Sequence, residues 1–412
     1  MNVHSGLPAN PSGGSYLGSS PVLPQTGASW GYSVEVVTTE EGLSSLAESW
    51  NRLSDVSAFP NVFMSFDWFR AWNQHFAREA PHGRRRLNVL ALKRDGHVAG
   101  ISPLIHRTAI RFGVAVRKVE FAESESSYND LVWGSDPAGQ IAAVLDFLAE
   151  TEDQWDLVDL RSLSATGNAL ALIQGSLART KLIYRILPEK PCPYVVIDAP
   201  WPVMLGRLSA HARHSLHNQQ NRLKRMSAEG LCVRIIEDPH KEPGLLEKLI
   251  ALESQKQVEG KRVNPFLARY PEVFQSLFSG LGPRGWIMVA LMEKGDLPIA
   301  WTVVFRCGKK LWGYHRAFNA DFSRLSPGIM LDTVLIGYGF SHGYDEYDFL
   351  YGNEPYKMRW NTGCHERFRL LIWSRGWTSR AKAFIYVYLK EAIYRLGGKT
   401  RRKSREVEPG CA

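Results

Sequence analysis

The stretch that decides the fold lies at residues 311–350 and reads LWGYHRAFNADFSRLSPGIMLDTVLIGYGFSHGYDEYDFL. It begins with an apolar strand and continues through a loop to Ser326-Pro327-Gly328, where a helical pattern starts. Serine suits the N-cap of a helix and proline its first position, and Gly343 suits the residue just past the C-terminus. A second strand is predicted over 344–350.

The predicted helix has one face built for burial and one end suited to an anion. Leu331, Val334, Leu335 and Tyr338 recur at positions i, i+3, i+4 and i+7, which is the spacing of a buried helical face. A helix that directly follows a strand presents free backbone N–H groups and the positive end of its dipole, which is a place to bind phosphate. The sequence therefore predicts a protein that holds a phosphorylated molecule beside a sheet.

The same order of elements occurs earlier in the chain. Residues 89–101 and 289–301 each read as two apolar strands around a glycine-containing charged turn, which is typical of a hairpin. The strand at 155–160 corresponds to the one at 344–349, and each follows a helical stretch. Two halves offset by roughly 190–200 residues predict a duplicated α/β unit.

Length and composition bound the organisation of the chain. A sequence of 412 residues has room for two domains with ample cores. The cluster Pro188, Pro191 and Pro193 is the best domain boundary. We expect a disordered leader at 1–30, which is rich in Gly, Ser and Pro, a first domain at 31–190, a second domain at 191–375, and a C-terminal helix with a basic tail at 376–412.

Cysteine usage and hydropathy indicate a cytoplasmic protein. The five cysteines are scattered and include no C-x-x-C pair, which argues against disulfides or a zinc site and fits a reducing compartment. No apolar run approaches the roughly 18 residues that would span a membrane. The histidines of the segment 207–225 do not predict a metal site, because His211 and His217 are six positions apart and turn away from each other on a helix.

The net charge of +9 is unevenly distributed. The segment 207–225 holds five Lys/Arg residues and no acid, and the C-terminal tail is also basic. Such an excess attracts phosphorylated cofactors, nucleic acid or an anionic membrane, or is simply a solvated face. For residues 376–395, which are rich in aromatic side chains, a helix packed on the domain is favoured over one lying on a membrane surface, and the membrane contact remains an alternative.

With this organisation in view, the chain resembles the GNAT acyltransferase superfamily over about residues 40–375, and within it the tandem-GNAT group of CelD-like proteins of cellulose biosynthesis, relatives of the Fem peptidyltransferases. The resemblance is carried by Phe63-x-Ser65-x-x-Trp68, Ser102-Pro103-Leu104, Tyr128-Asn129-Asp130, Ser326-Pro327-Gly328-x-x-Leu331 and Asp348-Phe349-Leu350-x-Gly352-x-x-x-Tyr356-Lys357-x-x-Trp360.

This resemblance implies an α/β fold of two packed GNAT units, each a mixed central sheet flanked by helices. It also implies transfer of an acyl group from a thioester such as acetyl-CoA, a co-substrate and not a permanently bound cofactor, to an amine or hydroxyl. GNAT units usually carry a glycine-rich pyrophosphate loop before the helix, but this loop contains a single glycine. We expect Ser326 and Gly328 to bind the cofactor phosphates, with Arg324 supplying part of the missing contact.

Acyl transfer needs a base for the nucleophile and an acid for the departing thiolate. We expect Asp348 or His315 to be the base, Tyr356 the acid, and Lys357 a cation that binds the anionic donor. For each of these residues a purely structural role is the competing interpretation. Tyr128, Asn129 and Asp130, in the matching loop of the first half, and Trp360 are expected to line a substrate cleft. Glu253 is predicted to be an ordinary exposed helix residue without a role.

Three functions remain open. The first is a cytoplasmic acyltransferase acting on a small-molecule or sugar-linked acceptor, with a role in surface polysaccharide synthesis that only the resemblance implies. The second is a Fem-like transferase that takes aminoacyl groups from charged tRNA, and tRNA is then the only nucleic-acid partner. The third is a non-catalytic GNAT scaffold in a polysaccharide assembly, which the low glycine content of the loop favours.

Overall fold

The computed structural model describes residues 30–397 except 58, 80–84, 123–124, 166–168, 200, 256–264, 353, 359 and 361. The expected leader therefore lies outside the described residues apart from its last residue, and the basic tail beyond 397 lies outside them as well. No helix in the described part of the chain is long and apolar enough to cross a membrane.

The first half of the chain forms two sheets joined at Pro103, where β4 ends and β5 begins. One sheet has the order β1-β3-β4-β7, and the other begins β2-β5-β6-β8. The elements are β1 (Ser33–Val37), α1 (Glu40–Ser45), α2 (Ala47–Asp55), α3 (Phe66–Glu79), β2 (Arg85–Leu87), β3 (Val89–Arg94), β4 (His97–Ser102), β5 (Leu104–Arg111), β6 (Val114–Phe121), β7 (Trp133–Gly134), α4 (Pro137–Glu150), β8 (Leu157–Ser164), α5 (Ala169–Thr180) and β9 (Ile183–Pro188).

The second half is built around one seven-stranded sheet of order β11-β12-β13-β14-β15-β10-β16. The elements are β10 (Cys192–Val196), α6 (Trp201–Arg207), α7 (Ala210–Ala228), β11 (Leu231–Ile236), α8 (Leu245–Gln255), α9 (Phe266–Arg269), α10 (Pro271–Leu281), β12 (Ile287–Lys294), β13 (Leu297–Cys307), β14 (Lys310–Phe318), α11 (Pro327–Ser341), β15 (Glu346–Asp348), α12 (Pro355–Met358), β16 (Gly363–His365), β17 (Arg367–Trp373) and α13 (Trp377–Gly397).

Both predicted hairpins are present, as β3–β4 and β12–β13. In each half a later strand leads through a helix to a strand that pairs with it in parallel, β6 to β8 through α4 and β14 to β15 through α11. Parallel neighbours require such a crossover connection. The repeated order of hairpin, strand, crossover helix and parallel strand confirms the predicted repetition of an α/β unit.

One strand crosses between the two halves. Strand β17, near the end of the second half in sequence, lies between β8 and β9 in the first half's sheet. Strand β10, which directly follows the proline cluster, lies between β15 and β16 in the second half's sheet. Residues 367–373, expected in the second domain, therefore complete the sheet of the first half.

The helix α11 begins and ends close to the predicted positions. Pro327 occupies its first turn, and Gly343, with φ of 73°, follows the C-cap His342. Ser326 is the N-cap residue as predicted, but its side chain makes no capping hydrogen bond and its backbone is left-handed, with φ of 54°. Leu331, Leu335 and Ile336 of this helix are buried against the sheet in one apolar core.

Candidate active site

The strands β14 and β15 pair only at one end. Their parallel register joins Lys310–Trp312 to Glu346–Asp348 and stops there, although β14 continues to Phe318. On its other side β14 pairs with β13 through a bulge, where the register passes from Val304↔Gly313 to Val303↔His315 and leaves Tyr314 as the extra residue. A bulge bends a strand locally, and β14 runs on past the end of β15, so Asp348 lies where the two strands cease to pair.

Asp348 is the last residue of β15 and is 1% exposed. Its Oδ1 accepts a hydrogen bond from the backbone N–H of Leu350 at 2.7 Å. Its Oδ2 accepts one at 2.5 Å from the hydroxyl of Tyr128, which belongs to the other half. Burial raises the pKa of Asp348 to about 6, against the lowering effect of the Tyr128 hydrogen bond. A carboxylate in this pKa range suits a general base at neutral pH.

The surroundings of this pair are apolar and come from both halves. The ring of Tyr128 packs on Trp312 with centroids 5.3 Å apart, and Phe63 stacks on Trp312 at the same distance. Cys192 of β10 is fully buried, and burial, followed by the charge of Asp348, raises the pKa of its thiol. This thiol is therefore protonated at neutral pH and is not poised as a nucleophile.

A second polar group lies on the same side of β15. Oε1 of Glu346 lies 2.8 Å from Nε2 of His365, and Glu346 pairs with Lys310 at 3.1 Å. His365 stacks on Tyr194 with centroids 4.2 Å apart. Ligand atoms of Glu346, Asp348 and His365 lie within 4.8 Å of one another. Glu346 already pairs with His365 and Lys310, so this cluster gives no reason to assign a metal cation.

The opposite side of β15 carries a separate charged cluster under α11. Arg316 donates to the buried Asp332 at 2.8 Å, and Tyr347 donates to Asp332 at 3.2 Å. Tyr356 lies beneath the Arg316 guanidinium at 4.8 Å, and burial raises the pKa of its hydroxyl to about 12. Tyr347 and Asp348 are neighbours on a strand, so their side chains point to opposite faces. The structure therefore does not bring Tyr356 to Asp348.

The first turn of α11 lies beside two elements that carry cations. Arg324 is exposed just before the helix, and its carbonyl accepts a hydrogen bond from Arg222 of α7 at 2.8 Å. The guanidinium of Arg316 also reaches this end, since a Cβ on Gly328 would lie 4.0 Å from Nη1 of Arg316. Ser326, Gly328 and Arg324 are thus together, at a helix end surrounded by three arginines.

Lys357 is buried in the loop beyond β15 and is already engaged. Its Nζ donates to the carbonyls of Leu350 at 3.3 Å and Tyr351 at 2.6 Å, and pairs with Glu354 at 3.0 Å. Burial lowers the pKa of Lys357. These contacts fix the loop that carries Leu350, whose φ of 57° is unusual for a residue with a side chain. Lys357 therefore stabilises the backbone conformation just beyond the end of β15.

His315 lies on β14, one residue beyond the bulge, and has a buried partner. Its Nε2 is 2.7 Å from Oε1 of Glu253. Glu253 is 2% exposed and also accepts hydrogen bonds from the backbone N–H groups of Phe266 and Ala268. The prediction that Glu253 is an ordinary exposed residue is wrong, because its carboxylate joins α8, α9 and β14. His315 and Asp348 are not hydrogen-bonded to each other.

The rest of the loop around Tyr128 is held by its own polar contacts. Asn129 accepts from Ser126 at 2.7 Å, donates to the carbonyl of Arg161 at 3.1 Å, and forms a backbone bridge to β8. Asp130 accepts from the N–H of Leu131 at 2.7 Å, and burial raises its pKa to about 6. Asn129 and Asp130 thereby shape the loop that presents Tyr128.

Trp360 lies in the apolar core under α11. It also borders a narrow space between α6 and the sheet, together with Val195, Trp201 and Met204. This space is on the sheet's far side from Tyr128, so the structure separates Trp360 from the other predicted substrate residues. Each of these assignments of site residues remains a prediction.

Comparison with known proteins now gives this geometry a family context. Residues 210–358 match the family model described as an acetyltransferase (GNAT) domain. The chain thus contains a GNAT acyltransferase domain. The matched segment includes Asp348, His315, Tyr356, Lys357 and the first turn of α11, but neither Tyr128 nor Trp360. No curated protein matches the chain.

One solved structure has a similar fold over most of the chain, and two others are less similar. The crystal structure of FemX is similar with a TM-score of 0.57 at 12% identity, covering 83% of this chain and 98% of FemX. A conserved protein of unknown function from Bacteroides thetaiotaomicron gives 0.49 at 11% identity, with 82% and 100% covered. L-PGS from Bacillus licheniformis gives 0.44 at 11% identity, with 70% and 85% covered. The similarity to FemX confirms the expected tandem GNAT-type fold.

Several residues around the site were not predicted from the sequence. Glu346 and Asp348 alternate on a predicted strand, which was a usable signal that both face one side. Cys192 and His365 lie on β10 and β16. The sequence of these short strands has no periodic pattern that predicts their position beside β15. Arg316 and Asp332 form a buried ion pair although they are sixteen residues apart. Nothing in their spacing predicts this pair.

Proposed function

We propose that this protein transfers an acyl group, an acetyl group in the simplest case, from a CoA thioester to an amine or hydroxyl of a sugar-type acceptor. The observation that carries the proposal is the buried carboxyl of Asp348, where β14 and β15 cease to pair in the matched GNAT domain, with a pKa raised to about 6. A base in this range is mostly ionised at neutral pH and still accepts a proton readily.

The donor's phosphates are assigned to the first turn of α11. This end offers the positive pole of a fifteen-residue helix and the cations Arg324, Arg316 and Arg222. Such a site compensates for the missing glycines with arginine side chains, which match phosphate geometry. The thioester then extends along β14 to Asp348.

In the proposed reaction, the acceptor nitrogen or oxygen attacks the thioester carbonyl and Asp348 takes the proton that it loses. The carbon–sulfur bond then breaks, and the protonated Asp348 returns a proton to the thiolate. A carboxylic acid of pKa near 6 can do so because a thiol has a pKa of about 8.5. Tyr128 positions the Asp348 carboxylate, while the raised pKa of Tyr356 and its place on the other face disfavour it as the acid.

The test is a thiol-release assay with acetyl-CoA and a panel of amino sugars and nucleotide-linked sugars. We expect acceptor-dependent release of CoA, reduced about 100-fold or more in Asp348→Asn. Asp345→Asn, the same substitution at an exposed carboxyl three residues earlier, is the matched control. Release that is the same in Asp348→Asn and in the unaltered protein would contradict the role of Asp348.

A Fem-like, tRNA-dependent transfer is the second candidate. It is favoured by α7, on which Arg213, His214, His217, Lys224 and Arg225 are exposed. Binding of tRNA by these cations must weaken steeply as salt rises, because bound phosphates release counterions. Salt-sensitive tRNA binding with no binding of any acyl-CoA would favour this candidate. If neither ligand binds, the non-catalytic scaffold remains.

A further inference from the structure

The C-terminal helix α13 exposes a row of apolar side chains. Trp377 is 75% exposed and Phe384 is 61% exposed. With Ala381 and Tyr388 they follow the spacing i, i+4, i+7 and i+11, which places all four along one side of a helix. Phe384 and Tyr388 contact each other, with ring centroids 4.9 Å apart. Nothing in the described part of the chain covers Trp377 or Phe384.

The opposite side of α13 is firmly attached to the first half's sheet. Ala383 is fully buried against β6, β8 and β17. Ser379 donates to the buried Asp156 at 2.7 Å, and the carbonyl of Tyr386 accepts from Arg111 at 2.8 Å. The exposed row is therefore presented in a fixed orientation.

Further exposed apolar residues border the same region. Ile110 and Phe112 lie at the turn between β5 and β6, and Arg111 between them binds α13. Ile183 of β9 is exposed beside Trp373, just before α13 begins. We call the row of Trp377, Ala381, Phe384 and Tyr388 the α13 face. Exposed apolar groups gathered in this way mark an interaction surface.

The sequence around α13 is basic. Residues 367–390 contain six Lys/Arg residues and no Asp or Glu, although Arg367, Arg369 and Arg375 pair with acidic residues of the first half. Arg380 and Lys382 are exposed on α13 itself, Arg380 next to the apolar row and Lys382 further round the helix on the other flank. The sequence that follows adds Lys399, Arg401, Arg402, Lys403 and Arg405. Aromatic side chains flanked by cations are the combination that binds an anionic lipid surface.

We propose that the α13 face binds the surface of an anionic phospholipid bilayer, with α13 lying parallel to it. Trp377 and Phe384 enter the boundary between headgroups and acyl chains, and Arg380 and Lys382 contact the lipid phosphates. A second copy of the chain is a poorer partner, because a two-fold contact would bring the two rows of cations together. This inference is independent of the acyl-transfer proposal, because the α13 face shares no residue with the site around Asp348.

The test is co-sedimentation of the full chain with vesicles of phosphatidylcholine alone and of phosphatidylcholine with 30 mol% phosphatidylglycerol. We expect binding to the anionic vesicles that weakens with salt, and little binding to the neutral ones. The double variant Trp377→Glu/Phe384→Glu should lose roughly tenfold or more of this binding. Arg380→Ala/Lys382→Ala should weaken it in proportion to the lost charge.

The control is Leu297→Glu, which adds a negative charge at an exposed apolar residue in the β12–β13 turn. It should bind like the unaltered protein, and circular dichroism checks that all variants fold. Equal pelleting of the double variant and the control would overturn the proposal. A dimer that becomes a monomer in the double variant would also overturn it, by showing that copies of this chain cover the face. The proposal would also be overturned if the unaltered protein bound tRNA but no vesicles and the double variant lost the tRNA binding.

Discussion

At the scale of single residues, the proposed chemistry depends on the pKa of one buried carboxyl. The Asp348 carboxylate must be ionised to accept a proton, so the rate should rise with pH through about 6 and level off above 7. A pH–rate profile of kcat/KM measures this rise, the acidic limb of the profile, directly. If the residual activity of Asp348→Asn shows no acidic limb, Asp348 is the group that causes it. An unchanged limb would show that another group causes it.

Removing the hydroxyl of Tyr128 should shift that limb. The hydrogen bond from Tyr128 lowers the pKa of Asp348, so in Tyr128→Phe the carboxyl should titrate at higher pH and the limb should move upward. Loss of a buried partner should also destabilise the fold by about 1–3 kcal/mol. The pH–rate profile and urea unfolding measure the two effects. A destabilised variant with an unmoved limb would make Tyr128 structural only.

Asp130 should limit stability at neutral pH. Burial raises its pKa from 3.8 to about 6, so the folded state favours the protonated form. The stability contributed by this group is full below the unfolded pKa and is lost as pH rises through about 6. Asp130→Asn keeps the acceptor for Leu131 and removes the charge. It should raise the free energy of unfolding by about 3 kcal/mol at pH 7.5 and by little at pH 4. Equal urea-unfolding shifts at both pH values would contradict this.

Sequence reasoning found the titratable residues near the site but not their partners. Asp348, Tyr128 and His315 were singled out individually, whereas the Tyr128–Asp348 and His315–Glu253 contacts were not foreseen. These pairs are separated by 220 and 62 residues, and no periodicity links them. Glu253 looked exposed because a helix pattern does not show that a later helix, α9, will cover it.

At the scale of elements, α11 is fixed against the sheet through a glycine. A Cβ on Gly339 would lie 2.8 Å from Cδ1 of Ile197 and 3.2 Å from Cδ1 of Leu311, while one on Gly337 would meet nothing within 4 Å. Gly339→Ala should therefore cost about 1–3 kcal/mol through overpacking, and Gly337→Ala should stabilise by about 0.5–1 kcal/mol. Urea unfolding of this matched pair measures both, and equal effects would contradict the packing described here.

The elements themselves were largely predictable, because each rests on a local pattern. Apolar periodicity and terminal residues placed α11 and both hairpins close to their positions in the structure. The first turn of α11 was less predictable. Ser326 has a favourable N-cap side chain, yet it adopts a left-handed backbone without capping, because the preceding residues form a 3-10 turn that ends there.

At the scale of the whole molecule, strand β17 binds the halves into one structure, because it belongs to the second half in sequence and completes the sheet of the first half. Strand β9 pairs only with β17 among the described strands, so a fragment of residues 30–190 lacks a partner for its own edge. We expect that fragment alone to show no cooperative unfolding and to regain it when residues 191–397 are co-expressed. A fragment of 30–190 that unfolds cooperatively by itself would contradict this. The insertion of β17 into the first half's sheet could not be predicted, because a short strand carries no signal of which sheet it joins.

The most direct test of the central claim is calorimetric titration with acetyl-CoA. The account places the donor's phosphates at the first turn of α11, so the unaltered protein should bind in the micromolar range, about −8 kcal/mol. Arg324→Ala should weaken binding at least about tenfold, while Arg380→Ala on α13 should leave it unchanged. Absence of binding to acetyl-CoA and to longer acyl-CoAs, or equal binding in all three proteins, would contradict the account.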